Sequence, residues 1–226
     1  MPEAVPRRGA AFILVADATS CAPHGASCMQ PPTLLRLTCA ALLATAAVAT
    51  AAAPQTFALD PANTHVHWEL KHFGTSTLRG RFDTISGSVT LDREAHTGSA
   101  SISIETTSVS TGTRIFDGVV RGPLMLATEE HPSAYFVASR FAFDGDRLVS
   151  VTGEFTLRGN SRPLTLKAMR FGCRTDAATE AAPAREICGG DFETTIARSA
   201  YGMPFGINFG LPDNVRLLIQ IEAIKQ

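Results

Sequence analysis

A two-residue rhythm of apolar and polar side chains limits what this chain can fold into. Within Asp60–Gly74, Val66, Trp68, Leu70 and His72 share one parity, and His65, His67, Glu69 and Lys71 share the other. Successive side chains of a strand point to opposite faces, so this segment has one core-like face and one wet face. The pattern returns at Ile85, Gly87, Val89 and Leu91, and at Ala100, Ile102 and Ile104 against Ser99, Ser101, Ser103 and Glu105. It returns again at Val149, Val151, Gly153, Phe155 and Leu157, and lastly at Val215, Leu217, Ile219, Ile221 and Ala223. Turn signals separate these runs at Asp92–Gly98, Asp144-Gly145-Asp146 and Arg158-Gly159-Asn160-Ser161.

Many short strands joined by hairpin turns predict an all-β antiparallel sheet. Long strands punctuated by glycine favour closure into a barrel of about eight strands over a flat sheet with exposed edges. Helical spacing interrupts the series once. Ile115, Phe116, Val119 and Val120 lie in Thr113–Met125, which Gly122-Pro123 ends, and they predict one short helix.

The chain upstream of the strands has a different character. From Met29, a short segment with Arg36 leads into an apolar run, Leu37–Val48, followed by Ala49 and Ala51 at Ala-x-Ala spacing. This is the pattern of a secretory signal peptide over residues 29–51, and the run is too short and alanine-rich for a membrane span. Residues 1–28 match no part of such a signal and read as an upstream extension or a misassigned start. The expected mature domain is 52–226, outside the cytoplasm. It retains two cysteines, Cys173 and Cys188, and an oxidising compartment makes the pair a disulfide. The intervening residues, rich in Ala, Thr and charge, read as a surface loop whose ends the bond would tie.

The formal net charge is -1, from 20 basic and 21 acidic residues with no basic run, which removes the electrostatic case for nucleic acid. The expected inward set is Val, Ile, Leu, Ala, Gly, Phe and one Trp. An eight-stranded barrel can be filled by such side chains or can hold one slender ligand, and pattern alone leaves both open. The small members Gly80, Gly87, Ala100 and Gly153 point toward a cavity or a close strand crossing.

Chemistry is sparsely signalled. There is no Gly-x-Ser-x-Gly, no His-Glu-x-x-His and no phosphate-cradling glycine loop, so no catalytic residue is assigned. His65 and His67, two apart on one strand, project from the same face, as a zinc- or copper-chelating pair does. A third ligand would have to come from elsewhere, with His96 the candidate. Solvated outer face is the expectation, with no metal.

The motifs, in order, resemble the YceI-like family of lipocalin-like, polyisoprenoid-binding periplasmic proteins of bacteria. Asp60-Pro61 through His72 is similar to the family's opening strand. Gly74, Arg79-Gly80-Arg81-Phe82, Ser86-Gly87, Thr111-Gly112, His131-Pro132, Thr152–Leu164 and Arg198-Ser199-Ala200-Tyr201-Gly202-Met203 follow in family order. Phe116-Asp117-Gly118-Val119-Val120 and Leu124-Met125-Leu126 depart from it, at positions where the family has its barrel mouth.

The resemblance implies an eight-stranded lipocalin-like barrel that sequesters a long isoprenoid chain, such as a polyprenyl carrier or a quinone tail. It does not imply turnover, and it suggests a homodimer; no cofactor is expected, and transient membrane contact is. The candidate lining residues are Val66, Trp68, Leu70, Phe82, Ile102, Ile104, Met125, Phe155, Leu217 and Ile219. His72, inward by parity, is expected to hydrogen-bond buried backbone or Arg198. The competing readings are an accessory protein with a filled barrel, and a metal-dependent enzyme built on His65 and His67.

Overall fold

Alternating segments find antiparallel partners on both sides until the sheet meets itself. The computed structural model describes residues 53–178 and 183–226; the upstream extension at 1–28 and the signal peptide at 29–51 lie outside the described residues. The strands are β1 (Gln55–Leu59), β2 (His65–His72), β3 (Ser76–Phe82), β4 (Ile85–Asp92), β5 (Thr97–Glu105), β6 (Val109–Ser110), β7 (Ser133–Asp144), β8 (Arg147–Leu157), β9 (Asn160–Asp176), β10 (Arg185–Ala197) and β11 (Asn214–Lys225).

Neighbours run β1-β4-β5-β7-β8-β9-β10-β11, and β11 pairs back onto β1. β2, β3 and β6 lengthen the first three staves: β11 meets β1 at Ala223↔Leu59 and β2 at Ile219↔Val66, β2 meets β3 at Trp68↔Gly80, and β3 meets β6 at Phe82↔Val109. The result is a closed eight-stranded antiparallel barrel with one short helix, α1 (Arg114–Arg121), between β6 and β7.

Specific side chains hold the breaks in the first staves. Between β1 and β2, the Asp60 carboxylate accepts from Ala62 N at 3.0 Å and Asn63 Nδ2 at 2.8 Å, and the buried Thr64 hydroxyl donates to Glu222 O at 3.1 Å. Between β3 and β4, Ser108 Oγ accepts from the backbone N–H groups of Asp83 and Thr84, at 3.1 and 3.0 Å. The backbone groups that leave the ladder at each bend therefore keep partners.

Bulges correct the simple parity reading. The β7–β8 register shifts between Ala138 and Arg140 and again between Ala142 and Phe143, where Leu148 pairs with Phe143. A bulge adds one residue to one strand and reverses its alternation. Leu148 is consequently buried where the sequence rhythm placed Val149, while Val151 and Phe155 keep their inward positions. A third shift, between Asp191 and Phe192 of β10, leaves Met169 of β9 exposed between the inward Leu166 and Phe171.

Cys173 and Cys188 face each other directly across β9 and β10 and are disulfide-bonded, with Cα atoms 4.0 Å apart. Pairing continues beyond them to Asp176↔Arg185, so the bond rivets a β-ribbon instead of tying the ends of a loop, as the composition of that segment suggested. That end of the barrel is also laced by charge. Arg93 and Lys225 pair with Glu186 at 2.6 and 3.1 Å, Arg174 with Glu222 at 3.1 Å, and His96 meets Asp146 at 3.1 Å. A Cys173→Ser/Cys188→Ser double variant is expected to stay folded but lose about 2–3 kcal/mol of unfolding free energy in urea titrations, as release of a loop of this length predicts.

Candidate functional site

The inward faces of the strands do not meet in the middle. They enclose a cavity of about 230 Å³, lined by apolar side chains from every stave together with α1 and the loop between β10 and β11. Protein interiors pack to crystal-like density, so a void this large is a feature of the fold and not a packing defect. The interior is therefore not filled by its own side chains.

All eleven residues singled out from the sequence line this one cavity: Val66, Trp68, Leu70 and His72 from β2, Phe82 from β3, Ile102 and Ile104 from β5, Met125 after α1, Phe155 from β8, and Leu217 and Ile219 from β11. Gly80 lies beneath the Trp68 indole; a Cβ there would stand 2.3 Å from Trp68 Cζ2 and 2.9 Å from Ser110 O. Only glycine lets the indole lie flat along the wall, which is the close approach its position suggested.

Other lining residues were missed. Phe136 on β7 and Leu166 on β9 follow the same alternation and were readable from it. Met203, Phe205 and Leu211 come from an irregular loop that has no period to read.

A second, smaller chamber of about 60 Å³ lies toward the disulfide end, with Cys188, Phe141 and Leu148 in its wall. Ile102, Phe136, Leu166 and Ile221 belong to both walls and form a waist between the two spaces.

Arg198 holds the other end together. It is 2 % exposed, and its guanidinium donates to four backbone carbonyls: Pro212 at 3.0 Å, Met203 at 2.5 Å, Phe205 at 2.6 Å and Leu211 at 3.2 Å. A buried cation is tolerable only when its donors are used, and these carbonyls would otherwise be unpaired. Burial pulls the Arg198 pKa below its ordinary value, and nearby Asp213 opposes that shift. Arg158, at the β8–β9 hairpin, donates to Gly202 O and to Pro123 O, which ties this loop to the turn after α1.

Arg198, one of the two partners expected for the His72 ring, is not bonded to it; the guanidinium goes to backbone carbonyls. The His72 ring meets Phe73 edge-on, with centroids 4.5 Å apart, and the His72 carbonyl accepts from Thr75 Oγ1 at 2.9 Å. His72 and Arg198 are the two ionisable side chains in the cavity wall.

His65 and His67 lie on the outside of β2, with ring centroids 6.1 Å apart. His96 is engaged elsewhere, bonded to Asp146 and stacked on Phe143. Among the described residues, one grouping of three ligand-type side chains occurs, Cys173, Glu186 and Cys188, and its sulfurs are joined in the disulfide. Partial burial, then His65 and Arg81, push the His67 pKa below 6.5, while Asp83 acts the other way.

A closed eight-stranded antiparallel barrel around an apolar cavity defines a lipocalin-like fold. A family model described as the YceI-like domain matches residues 57–223, and the chain belongs to that family. Protein YceI of Escherichia coli O157:H7 is 34 % identical over 142 residues, covering 62 % of this chain and 72 % of that one. A UPF0312 protein of Pectobacterium atrosepticum is 29 % identical over 199 residues, covering 88 % of this chain and all of the relative.

Among solved structures, Burkholderia cenocepacia BcnA matches with a TM-score of 0.58 and 23 % identity, over 73 % of this chain and 99 % of that one. A polyisoprenoid binding domain from Saccharophagus degradans, implicated in plant cell wall breakdown, matches with a TM-score of 0.55 and 18 % identity, over 76 % and 99 %. At these identities the two structures establish the fold.

Two outcomes follow from the charged groups. Arg198→Met leaves four carbonyls, one buried and three partly buried, without their donor and is expected to cost about 3 kcal/mol in urea unfolding, with Arg198→Lys recovering only part of the loss because an ammonium lacks the planar fork. For His67 the folded pKa lies below the unfolded one, so the unfolded state binds the extra proton first. Stability is therefore full above the unfolded pKa and falls as pH drops below about 6.5, reaching a plateau beneath the folded value. A His67→Gln variant should remove that component from a series of urea melts across pH.

Proposed function

We propose that the chain is an extracytoplasmic binding protein that sequesters a long isoprenoid lipid, a polyprenyl chain or an isoprenoid quinone tail, in the barrel cavity without chemical turnover. One observation carries this reading: a cavity of about 230 Å³ whose wall is apolar apart from His72 and Arg198. Apolar cavities of this order stay free of water and take up apolar guests. Burial at about 25 cal/mol per Å² supplies affinity along a prenyl chain without any directed polar contact. Membership of the YceI-like family and the likeness to the Saccharophagus degradans domain support the ligand class.

The eleven predicted lining residues would contact the chain. His72, in the cavity wall beside the β2–β3 turn, is the group best placed to meet a headgroup. The disulfide and the signal-like segment at 29–51 support a location outside the cytoplasm. No cofactor takes part. The open interior weighs against an accessory role for a filled barrel, and the outward, two-residue His65/His67 pair weighs against a metal enzyme.

Organic extraction of the purified protein followed by mass spectrometry should yield one defined prenyl compound; a lipid-free cavity that also fails to take up added prenol would sink the reading. Trp68 is the only tryptophan and lies in the cavity wall, so its emission reports occupancy. A quinone headgroup beside it should quench the emission, whereas a polyprenol should shift it to shorter wavelength without quenching. Phe136→Ala, which opens the waist between the two chambers, is expected to move the preferred chain length upward in a prenol series titrated by this signal.

A further inference from the structure

The two ends of the barrel differ in kind. The disulfide end is closed by the paired charges of Arg93, Glu186, Lys225, Arg174 and Glu222. The opposite end carries most of the exposed apolar surface. Of the ten large apolar side chains that are exposed among the described residues, seven belong to three segments at the mouth: the β2–β3 turn, α1 with its following turn, and the β10–β11 loop.

Phe116, Val119 and Phe205 both line the cavity and face outward. Phe73, Ile115, Leu124 and Phe209 lie outside the cavity wall and still expose between 51 % and 80 % of their surface. No residue of α1 is buried, although its apolar side chains fall on one side of the helix. Phe73 holds φ at +48°, a left-handed conformation that a bulky side chain rarely adopts, and its ring comes close to Gly210 of the neighbouring loop.

Two exposed cations border these side chains: Lys71, on β2 just before the β2–β3 turn, and Arg114, on α1, make no ion pair among the described residues. The two half-buried carboxylates there, Asp117 and Asp213, stay charged while accepting from Thr111 N and Oγ1 at 2.6 and 2.8 Å and from Ser199 N and Oγ at 2.8 and 2.6 Å. The exposed Glu129 and Glu130, on the turn into β7, add negative charge at the same end, beyond the apolar side chains. An apolar collar with exposed cations at its edge, Lys71 and Arg114, is the composition of a surface that settles on an anionic bilayer, inserting side chains at the headgroup boundary.

We infer that this collar docks the barrel mouth-down on a lipid bilayer containing anionic headgroups, so that a guest passes between bilayer and cavity without crossing water. The choice of a bilayer over another apolar partner rests on the lipid-binding reading and on the continuity of collar and cavity through Phe116, Val119 and Phe205. No helix among the described residues is long and apolar enough to cross a membrane, so the contact is peripheral.

Flotation of the mature protein with vesicles of phosphatidylcholine, alone or mixed with phosphatidylglycerol, tests the inference. Binding is expected with the mixed vesicles and weakens with salt. An Ile115→Ser/Phe209→Ser variant should abolish flotation, and Lys71→Glu/Arg114→Glu should weaken it by roughly tenfold or more. Neither pair lines the cavity, so the Trp68 response to a short-chain prenol in vesicle-free solution should be unchanged in both; loss of that response in the wild type would fault the ligand reading and not the collar. The inference is overturned if the wild type does not float, or if it floats equally well with all four residues substituted. It is also overturned if sedimentation shows a dimer that Ile115→Ser/Phe209→Ser dissociates while vesicles remain unbound, since the collar would then be covered by a second copy.

Discussion

Everything in this molecule depends on β11 finding three partners at once. It pairs with β10 along eleven residues from Ile187↔Ile224 to Ala197↔Asn214, and with β1 and β2 along its other edge. That closure removes the two free edges an open eight-stranded sheet would expose. It also fixes which face of each stave is inside, because a one-residue slip would turn Leu217, Ile219 and Ala223 out and Arg216, Gln220 and Glu222 in. The register is reinforced on the outer face, where Arg216 bridges Glu69 of β2 and Glu193 of β10 at 3.4 and 2.7 Å. Inner apolar parity and outer ion pairing specify the same alignment.

Closure creates an interior with two ends, and the sequence finishes them differently. At one end the strands run long, are riveted by Cys173–Cys188 and converge on a small chamber. At the other end the staves stop short and irregular segments take over. Arg198 is what makes those segments a wall: four carbonyls from a loop with little regular structure are gathered on one guanidinium, which places Met203, Phe205 and Leu211 around the cavity. Using a charge where an apolar plug would also fit leaves room above the waist, since the guanidinium is spent on backbone at the rim and does not fill the bore.

The alternation at Val66–His72 and Val215–Ala223 was enough to read the inward face of those strands and six residues of the cavity wall, because on an unbroken strand period alone fixes side-chain direction; Met125, after α1, has no such period. Alternation failed where the ladder itself is irregular. Leu148 replaces Val149 because a bulge on β8 reverses parity, and a bulge is a property of two strands that one strand's sequence does not display. The disulfide partners were legible from compartment and count, but their setting was not, since the composition that suggested a loop extends into paired strands. The apolar face of α1 was legible as a helix face and would ordinarily mean a buried one. Here Phe116, Val119 and Val120 turn that face to the cavity wall, and Phe116 and Val119 stay exposed because no other segment covers them.

That last point bears on how the interior can be reached. A barrel with continuous hydrogen-bonded walls cannot admit a guest from the side without breaking ladder pairs, each of which would leave buried donors and acceptors unsatisfied. The disulfide end is held by a covalent bond and several ion pairs, so opening it would have to undo both. The mouth is held by Arg158, Arg198 and side-chain contacts among short segments, and α1 is anchored chiefly through Arg121, which donates to Thr107 O and Val109 O at 2.9 and 2.7 Å. Displacing the helix costs few buried contacts, because it buries no residue of its own. Phe116 and Val119 of α1 belong to the cavity wall and are also exposed, so the cavity reaches the surface beside this helix.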